Sequence, residues 1–435
     1  MKKHMRNSGK QELKGIAIAR FLLLTCCLPA FLITHSASGQ ILKGKWVDEA
    51  DARIEKLRKV PLRAIVMDKA GKPVAAEVQI KMTRHAFPFG VTFDPVRLGA
   101  IDLKNEVWRG VSAVSFDSMT AWPAIESKTP QKAFNQIDRM VDLFRLSDLQ
   151  VGWGGVVSAD VGRWPQTVTA LKGEPLRNAL DHHIKTIAGR YGARVGQFDI
   201  YTDVLDNDAV GDRLGTAMVR RMFTQTKTIA PHATLCVRFR DCLRGTRMQL
   251  MARRVAAMRQ SFIPLDAVCL EMQLAGQVSN AALTRSLSWI DHLGVPVIIT
   301  SLEVGGPSPA AAAMNLEAVL LTLYSNPNIA GIWFKAFNAD AVDDPNAALI
   351  DGDGQATKPG QLFDRLVYSQ WRTDETVTAD ALGNLRATVY AGHYDLTAKL
   401  PDGTSSSAHV LLDKPQPDRI IILQPLAISA STKPE

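Results

Sequence analysis

Eight short apolar runs, each followed by a stretch of helical periodicity or a long connection, leave this chain few ways to fold. They lie at Phe87–Phe93, Gly110–Phe116, Leu149–Val157, Val195–Thr202, Thr234–Phe239, Ala267–Leu274, Val295–Leu302 and Ile329–Ala336. Runs this short, rich in β-branched and aromatic residues and bounded by turn formers, read as strands buried on both faces. The intervening segments at about 130–147, 176–191, 212–229, 246–261, 280–293 and 310–325 repeat their apolar residues with helical spacing. Strand and helix in strict alternation make a parallel sheet with right-handed crossovers, and eight units predict closure into an α/β fold of the (β/α)8 TIM barrel type. The first crossover, Asp94 to Trp108, carries only a poor amphipathic pattern.

Two of these runs end in acids. Gln197-Phe198-Asp199-Ile200-Tyr201-Thr202-Asp203 and Val297-Ile298-Ile299-Thr300-Ser301-Leu302-Glu303 each stop where a strand should pass into loop. Parallel barrels carry their chemistry at that end of the strands, so Asp203 and Glu303 are expected to share one mouth.

The flanks read differently. A short surface helix and the period-two segments Leu62–Met67 and Ala76–Met82, joined across Asp68-Lys69-Ala70-Gly71-Lys72-Pro73, predict a β-hairpin within an N-terminal segment 41–84. Beyond the barrel, assigned to 85–370, five short alternating strands between 371 and 425 predict a small antiparallel β module. A lone hairpin is marginal, so the two ends of the chain are expected to build one β-sandwich. Residues 426–435 read as a disordered tail.

Basic residues from Lys2 to Arg20, the apolar run Phe21–Ile33 and the small residues Ser36-Ala37-Ser38-Gly39 have the order of a signal peptide, expected at 1–40 and implying a secreted or periplasmic protein. That segment contributes +5 of the formal net charge of +8, so no nucleic-acid partner is expected, nor a membrane partner once it is removed. Cys236, Cys242 and Cys269 lack zinc-type spacing and read as buried small residues, although Cys236 and Cys242 are near enough in sequence to pair. No cofactor fingerprint is present, no metal is expected, and Asp340, Asp343 and Asp344 read as a solvated loop. A monomer is expected.

Together His85-Ala86-Phe87-Pro88-Phe89-Gly90, Phe198 to Asp203, Val297 to Val304 and Trp333 through Asp351-Gly352-Asp353-Gly354 to Lys358-Pro359 resemble, in order and spacing, glycoside hydrolase family 10. That resemblance implies a retaining endo-β-1,4-xylanase scaffold and a polysaccharide or oligosaccharide of xylan type as partner. It also implies that the acid/base slot holds Asp203, preceded by Thr202 where the family has Asn, and that the nucleophile slot holds Ser301. Glu271-Met272-Gln273 stands where the family has Gln-Ser-His, and the family's sugar-holding residues on the second and third strands are replaced.

A retaining glycosidase needs two carboxyls about 5–5.5 Å apart, and a serine hydroxyl without a base does not replace one. Glu303, two residues past Ser301 and roughly 6.5 Å further along the strand, is the candidate second carboxylate, at a separation suited to inversion, with Glu271 as the other candidate and a structural role beside the nucleophile slot as the alternative for Glu303. Glu271 either bonds a sugar or pairs with Arg238 or Arg240, which close the fifth strand. Thr202, Trp153, Glu271, Gln273, Trp333 and Phe337 are the candidate substrate contacts. Two functions follow: hydrolysis by Asp203 with a relocated partner, or a barrel that has lost hydrolysis and binds carbohydrate or protein. A mouth filled by Arg240 or Met272 would favour the second.

Overall fold

The computed structural model describes residues 42–93, 110–117, 120–126, 130–243, 245–335, 337–416 and 419–425. The expected signal peptide, the first crossover and the tail lie outside the described residues. Strands β1 (Lys59–Val66) and β2 (Glu77–His85) precede the barrel strands β3 (Phe89–Phe93), β4 (Ala113–Phe116), β5 (Gln150–Trp153), β6 (Val157–Ser158), β7 (Gln197–Thr202), β8 (Thr234–Phe239), β9 (Ala267–Leu274), β10 (Val297–Val304) and β11 (Ile329–Phe334). The parallel order β5-β4-β3-β11-β10-β9-β8-β7, with β5 pairing back on β7, closes the expected barrel.

Every residue of β7 and β10 is buried, as a strand with core on one side and helices on the other must be. The third barrel strand is shorter than the run 149–157 suggests. It breaks at Gly154-Gly155, where a Cβ on Gly154 would lie 2.3 Å from the Phe116 carbonyl oxygen and Gly155 has φ +72°, and it resumes as β6.

The barrel floor is apolar, formed by Ala113, Ala267, Ile298 and Trp333. Trp333 wedges between backbones: a Cβ on Gly90 would approach its ring to 2.5 Å and one on Gly331 to 2.3 Å. One sector of the interior is instead polar. Gln197 and Asp199 from β7, Cys236 and Arg238 from β8, and Cys269 and Glu271 from β9 meet there by hydrogen bonds and ion pairs. Cys236, Cys242 and Cys269 are all free buried thiols.

The flanking segments correct one expectation. β1 and β2 do not form a hairpin. β1 pairs with β13 (Asn384–Tyr390) and β16 (Ile421–Leu423), whereas β2 pairs with β12 (Asp374–Thr378) and β14 (Gly392–Lys399), the latter also pairing with β15 (Ser405–Leu412). The ten-residue link 67–76 is long enough to pass from one sheet to the other, and it folds back on itself at the Met67–Pro73 bridge. Two sheets of three and four strands result, and alternating residues such as Leu62, Ala64, Ile80 and Leu396 join the common core. Helix Lys45–Arg58 ties this module to the barrel. Arg58 donates to the Tyr324, Asn326 and Ile329 carbonyls at 2.9, 2.8 and 3.1 Å. The described residues cluster as one compact unit.

Candidate functional site

At the C-terminal ends of the strands lies a cleft of about 570 Å³, lined by Thr202, Asp203, Glu271, Gln273 and Ser301 and also by Asp117, Arg163, Arg238, Arg240 and Lys335. Two of its non-glycine residues hold left-handed backbone, Asp203 at φ 62° and Ser301 at φ 50°. Non-glycine residues pay about 1 kcal/mol or more for that conformation, and it concentrates at functional positions. At Ser301 it coincides with the interrupted pairing of β10 to β9 and β11, a bulge that turns the side chain towards the cleft.

Arg240 dominates the charge arrangement. Its Nε lies 2.8 Å from Asp203 Oδ1 and 3.1 Å from Glu271 Oε1. These contacts bring the charges together without the alignment of a hydrogen bond, so Arg240 Nε and Glu271 Oε1 both remain without hydrogen-bond partners. Below it, Arg238 is buried among Asp117 at 3.0 Å, Glu271 at 3.4 Å and Asp199 at 3.6 Å. Ser158 Oγ donates to Asp203 Oδ2 at 2.7 Å, and Thr202 Oγ1 lies 3.1 Å from the same oxygen. Arg163, half exposed, lies 3.7 Å from it.

These neighbours set opposite protonation tendencies. Burial alone would raise the Asp203 carboxyl, but Arg240, the Ser158 hydroxyl, Arg163 and Arg238 outweigh it and hold Asp203 below the usual carboxylate range. Glu271 is more deeply buried, and desolvation pushes it up against the pull of Arg238 and Arg240.

Glu303 is not the free second carboxylate expected from its sequence position. Its Oε1 accepts the backbone N–H groups of Asp343 and Asp344 at 3.0 and 2.8 Å, and its Oε2 faces Lys335 Nζ at 3.1 Å. It fastens the loop after β11, and with it the aspartates of that loop. The aromatic candidates are corrected as well. Trp153 is fully buried against Tyr191 and Phe198, Trp333 forms the floor, and Phe337 packs on Phe334 and Phe363. None of the three lines the cleft: Trp153 and Phe337 pack within the apolar frame, and Trp333 lies at the floor, away from the mouth. Met272 points into the core and does not obstruct the mouth. The aromatic that does line it is Trp122, whose ring stacks on buried His183 at 4.5 Å and whose Nε1 donates to Glu126.

Residues that sequence reasoning left without a role include Asp117, Ser158 and Arg163. Asp117 stands directly after β4, in the position that singled out Asp203 after β7, and that signal was available. Ser158 and Arg163 sit in an irregular stretch with no periodicity to mark them.

The sequence profile of Glycosyl hydrolase family 10 matches residues 80–342. The anti-sigma-I factor RsgI6 of Acetivibrio thermocellus is 22% identical over 360 residues, covering 82% of this chain and 47% of that protein. Endo-1,4-beta-xylanase 1 of Arabidopsis thaliana is 21% identical over 391 residues, covering 85% of this chain and 40% of that one. The chain therefore spans less than half the length of these relatives. Among solved structures, xylanase 10B from Thermotoga petrophila RKU-1 in complex with xylobiose superimposes with a TM-score of 0.58 at 16% identity, covering 66% of this chain and 95% of that chain. At that identity the likeness establishes the barrel.

Proposed function

The chain belongs to glycosyl hydrolase family 10, and from that premise we propose that its barrel mouth binds a β-1,4-linked, xylan-type polysaccharide without cleaving it by the family's two-carboxylate route. The observation that carries this reading is Arg240, whose guanidinium contacts two acids of the cleft, Asp203 and Glu271. Retaining hydrolysis needs one carboxyl to protonate the leaving oxygen and another to attack the anomeric carbon. Asp203, held ionised, has no proton to give near neutrality, and Ser301 brings no carboxylate to the nucleophile slot. Binding chemistry is retained. Glu271 Oε1 is a buried acceptor without a hydrogen-bond donor, and a sugar hydroxyl entering the cleft would supply one. The N-terminal signal pattern accords with export to where such polymers occur.

A second reading has one specific observation in its favour. Asp203 and Glu271 touch the same nitrogen, so their near oxygens are no more than about 6 Å apart, close to a retaining pair. Glu271, pushed up by burial, would then be the proton donor and the ionised Asp203 the nucleophile. Calorimetric titration with xylohexaose, beside reducing-end release from xylan, separates the two for wild type and Glu271→Gln. Binding that weakens at least tenfold in the variant, with no release from wild type, is the expected result. Release by wild type that disappears in Glu271→Gln would establish the second reading. Neither binding nor release by folded protein would overturn both.

A further inference from the structure

We propose that Asp199, Cys236 and Cys269 form a zinc-binding site inside the barrel, one layer below the mouth and independent of the polysaccharide reading. Their ligand atoms all lie within 4.8 Å of one another, and all three residues are at most 1% exposed. Cys269 Sγ is already 3.3 Å from Asp199 Oδ1. The other carboxylate oxygen, Oδ2, accepts no hydrogen bond and has the Arg238 guanidinium 3.6 Å away. A buried carboxylate oxygen in that state is an open ligand position. The Gln197 carboxamide sits against the same atoms, 3.0 Å from Asp199 Oδ1 and 3.5 Å from Cys269 Sγ. Turned over, it offers an oxygen as a fourth ligand.

The chemistry of the set selects the ion. Two thiolates and one carboxylate suit a borderline-soft divalent cation that accepts tetrahedral coordination, and exclude Mg²⁺ and Ca²⁺, which want oxygen alone. Tetrahedral Zn–S bonds of about 2.3 Å put two sulfurs about 3.8 Å apart, so the site closes by about 1 Å at most. Binding breaks two S–H bonds, forms two Zn–S bonds and releases two protons to water. One Zn²⁺ therefore replaces two protons, and the net charge beside Arg238 stays as it was. No new buried charge is created, which is the usual obstacle to a metal in a core. On the side away from the mouth, Gln197 also lines a cavity of about 220 Å³ at the strand N-termini, with Thr234, Ala267 and Trp333.

The test uses the full chain, reduced, stripped with chelator and dialysed against Zn²⁺ or Co²⁺. The expected result is one equivalent of zinc retained through gel filtration, two protons released per zinc in weakly buffered solution, and a Co²⁺ derivative with the intense bands of tetrahedral thiolate coordination. The Cys236→Ala/Cys269→Ala variant keeps Cys26, Cys27 and Cys242, and its zinc retention is expected to fall at least tenfold. Undiminished retention in that variant would overturn the proposal. So would less than a tenth of an equivalent on folded wild type. Should the variant not fold, the cobalt spectrum of wild type decides alone, because weak octahedral bands without thiolate charge transfer would also overturn it.

Discussion

A guanidinium shared by two carboxylates makes Arg240 the residue on which the mouth depends. Its removal takes the nearest cation from both Asp203 and Glu271 and leaves Arg238 as their shared counter-charge, and breaking an ion pair from one side destabilises far more than the pair itself contributes. Arg240 is about a third exposed, so water screens part of the loss. Arg240→Met is expected to lower unfolding stability by about 1–3 kcal/mol at pH 7, read from urea denaturation. The pH dependence has a definite sign. Asp203 is depressed in the folded state, so its contribution is complete above the ordinary carboxylate range near 3.8 and is lost as pH falls through the depressed folded value. Glu271 is raised, so its contribution runs the other way and weakens as pH rises past 4.5. As pH falls, Glu271 takes up its proton first and the missing cation then faces one charged acid instead of two, so the gap between wild type and Arg240→Met should be narrower at pH 3 than at pH 7. A gap of equal size at pH 3 and 7 would show that Arg240 acts by packing alone. The sequence made Asp203, Glu271 and both arginines visible, because each closes a strand. It did not reveal that Arg240 would lie against both acids, since that depends on how far β8 and β9 are staggered.

Among the elements, the decisive distinction is between aromatics that face the cleft and aromatics that fill the frame. Trp333 leans on glycines in two strands, so a single added methyl has nowhere to go. Gly331→Ala is expected to destabilise by about 1–3 kcal/mol, the range for overpacking. Trp333→Phe should leave xylohexaose affinity within twofold, whereas Gln273→Ala, which alters the cleft wall, should weaken it severalfold by calorimetry. Equal effects would mean that the floor and the mouth are coupled. Helix Gly173–Tyr191 adds a pH-sensitive element. Its His183 is desolvated, donates from Nε2 to the Val156 carbonyl at 3.0 Å and has its pKa lowered to about 3. His85, likewise desolvated and bonded to the Val367 carbonyl, falls to about 4. Both stay neutral when folded but take up a proton near 6.5 when unfolded. Stability should therefore fall below pH 6.5 by about 1.4 kcal/mol per pH unit for each histidine, down to about pH 4. His183→Gln should remove about half of that slope in denaturant titrations between pH 6 and 4.5. Periodicity located these helices and strands, but it does not say which side of a buried strand faces the axis. Nor does it give depth: Trp153 faces the helices, Trp333 lies at the floor and not the mouth, and Phe337, beyond the end of β11, packs on Phe334 and Phe363.

For the whole molecule, the segments on either side of the barrel, 59–85 and 374–423, pair with each other, and the barrel folds between them. Period-two alternation was enough to foresee a sandwich made from both termini. The hairpin was misjudged because a short link and a sheet-crossing link share the same Gly and Pro residues, and only the positions of β12 to β16 decide between them. That crossing has a mechanical consequence. β1 and β2 each take one sheet's worth of C-terminal strands as partners, so neither sheet exists without residues beyond 371, and the module cannot detach as an N-terminal piece. Its connection to the barrel is polar and directional. Arg58 fills three carbonyls at the end of the Pro309–Tyr324 helix and the start of β11, and it lies over the rings of Phe87 and Tyr324 at 4.5 and 5.0 Å. The same helix buries Glu317, which accepts from the Leu42 backbone N–H at 2.8 Å and from Arg365 at 2.8 Å. With these ties across the junction, barrel and sandwich should unfold in one calorimetric transition, with matching calorimetric and van't Hoff enthalpies. Arg58→Ala leaves three carbonyls without their charged donor. It is expected to lower stability by about 3 kcal/mol and to split the transition in two, while xylohexaose affinity stays unchanged because the cleft lies at the far ends of the strands. A single, unshifted transition in Arg58→Ala would mean that the apolar contact alone couples the two parts.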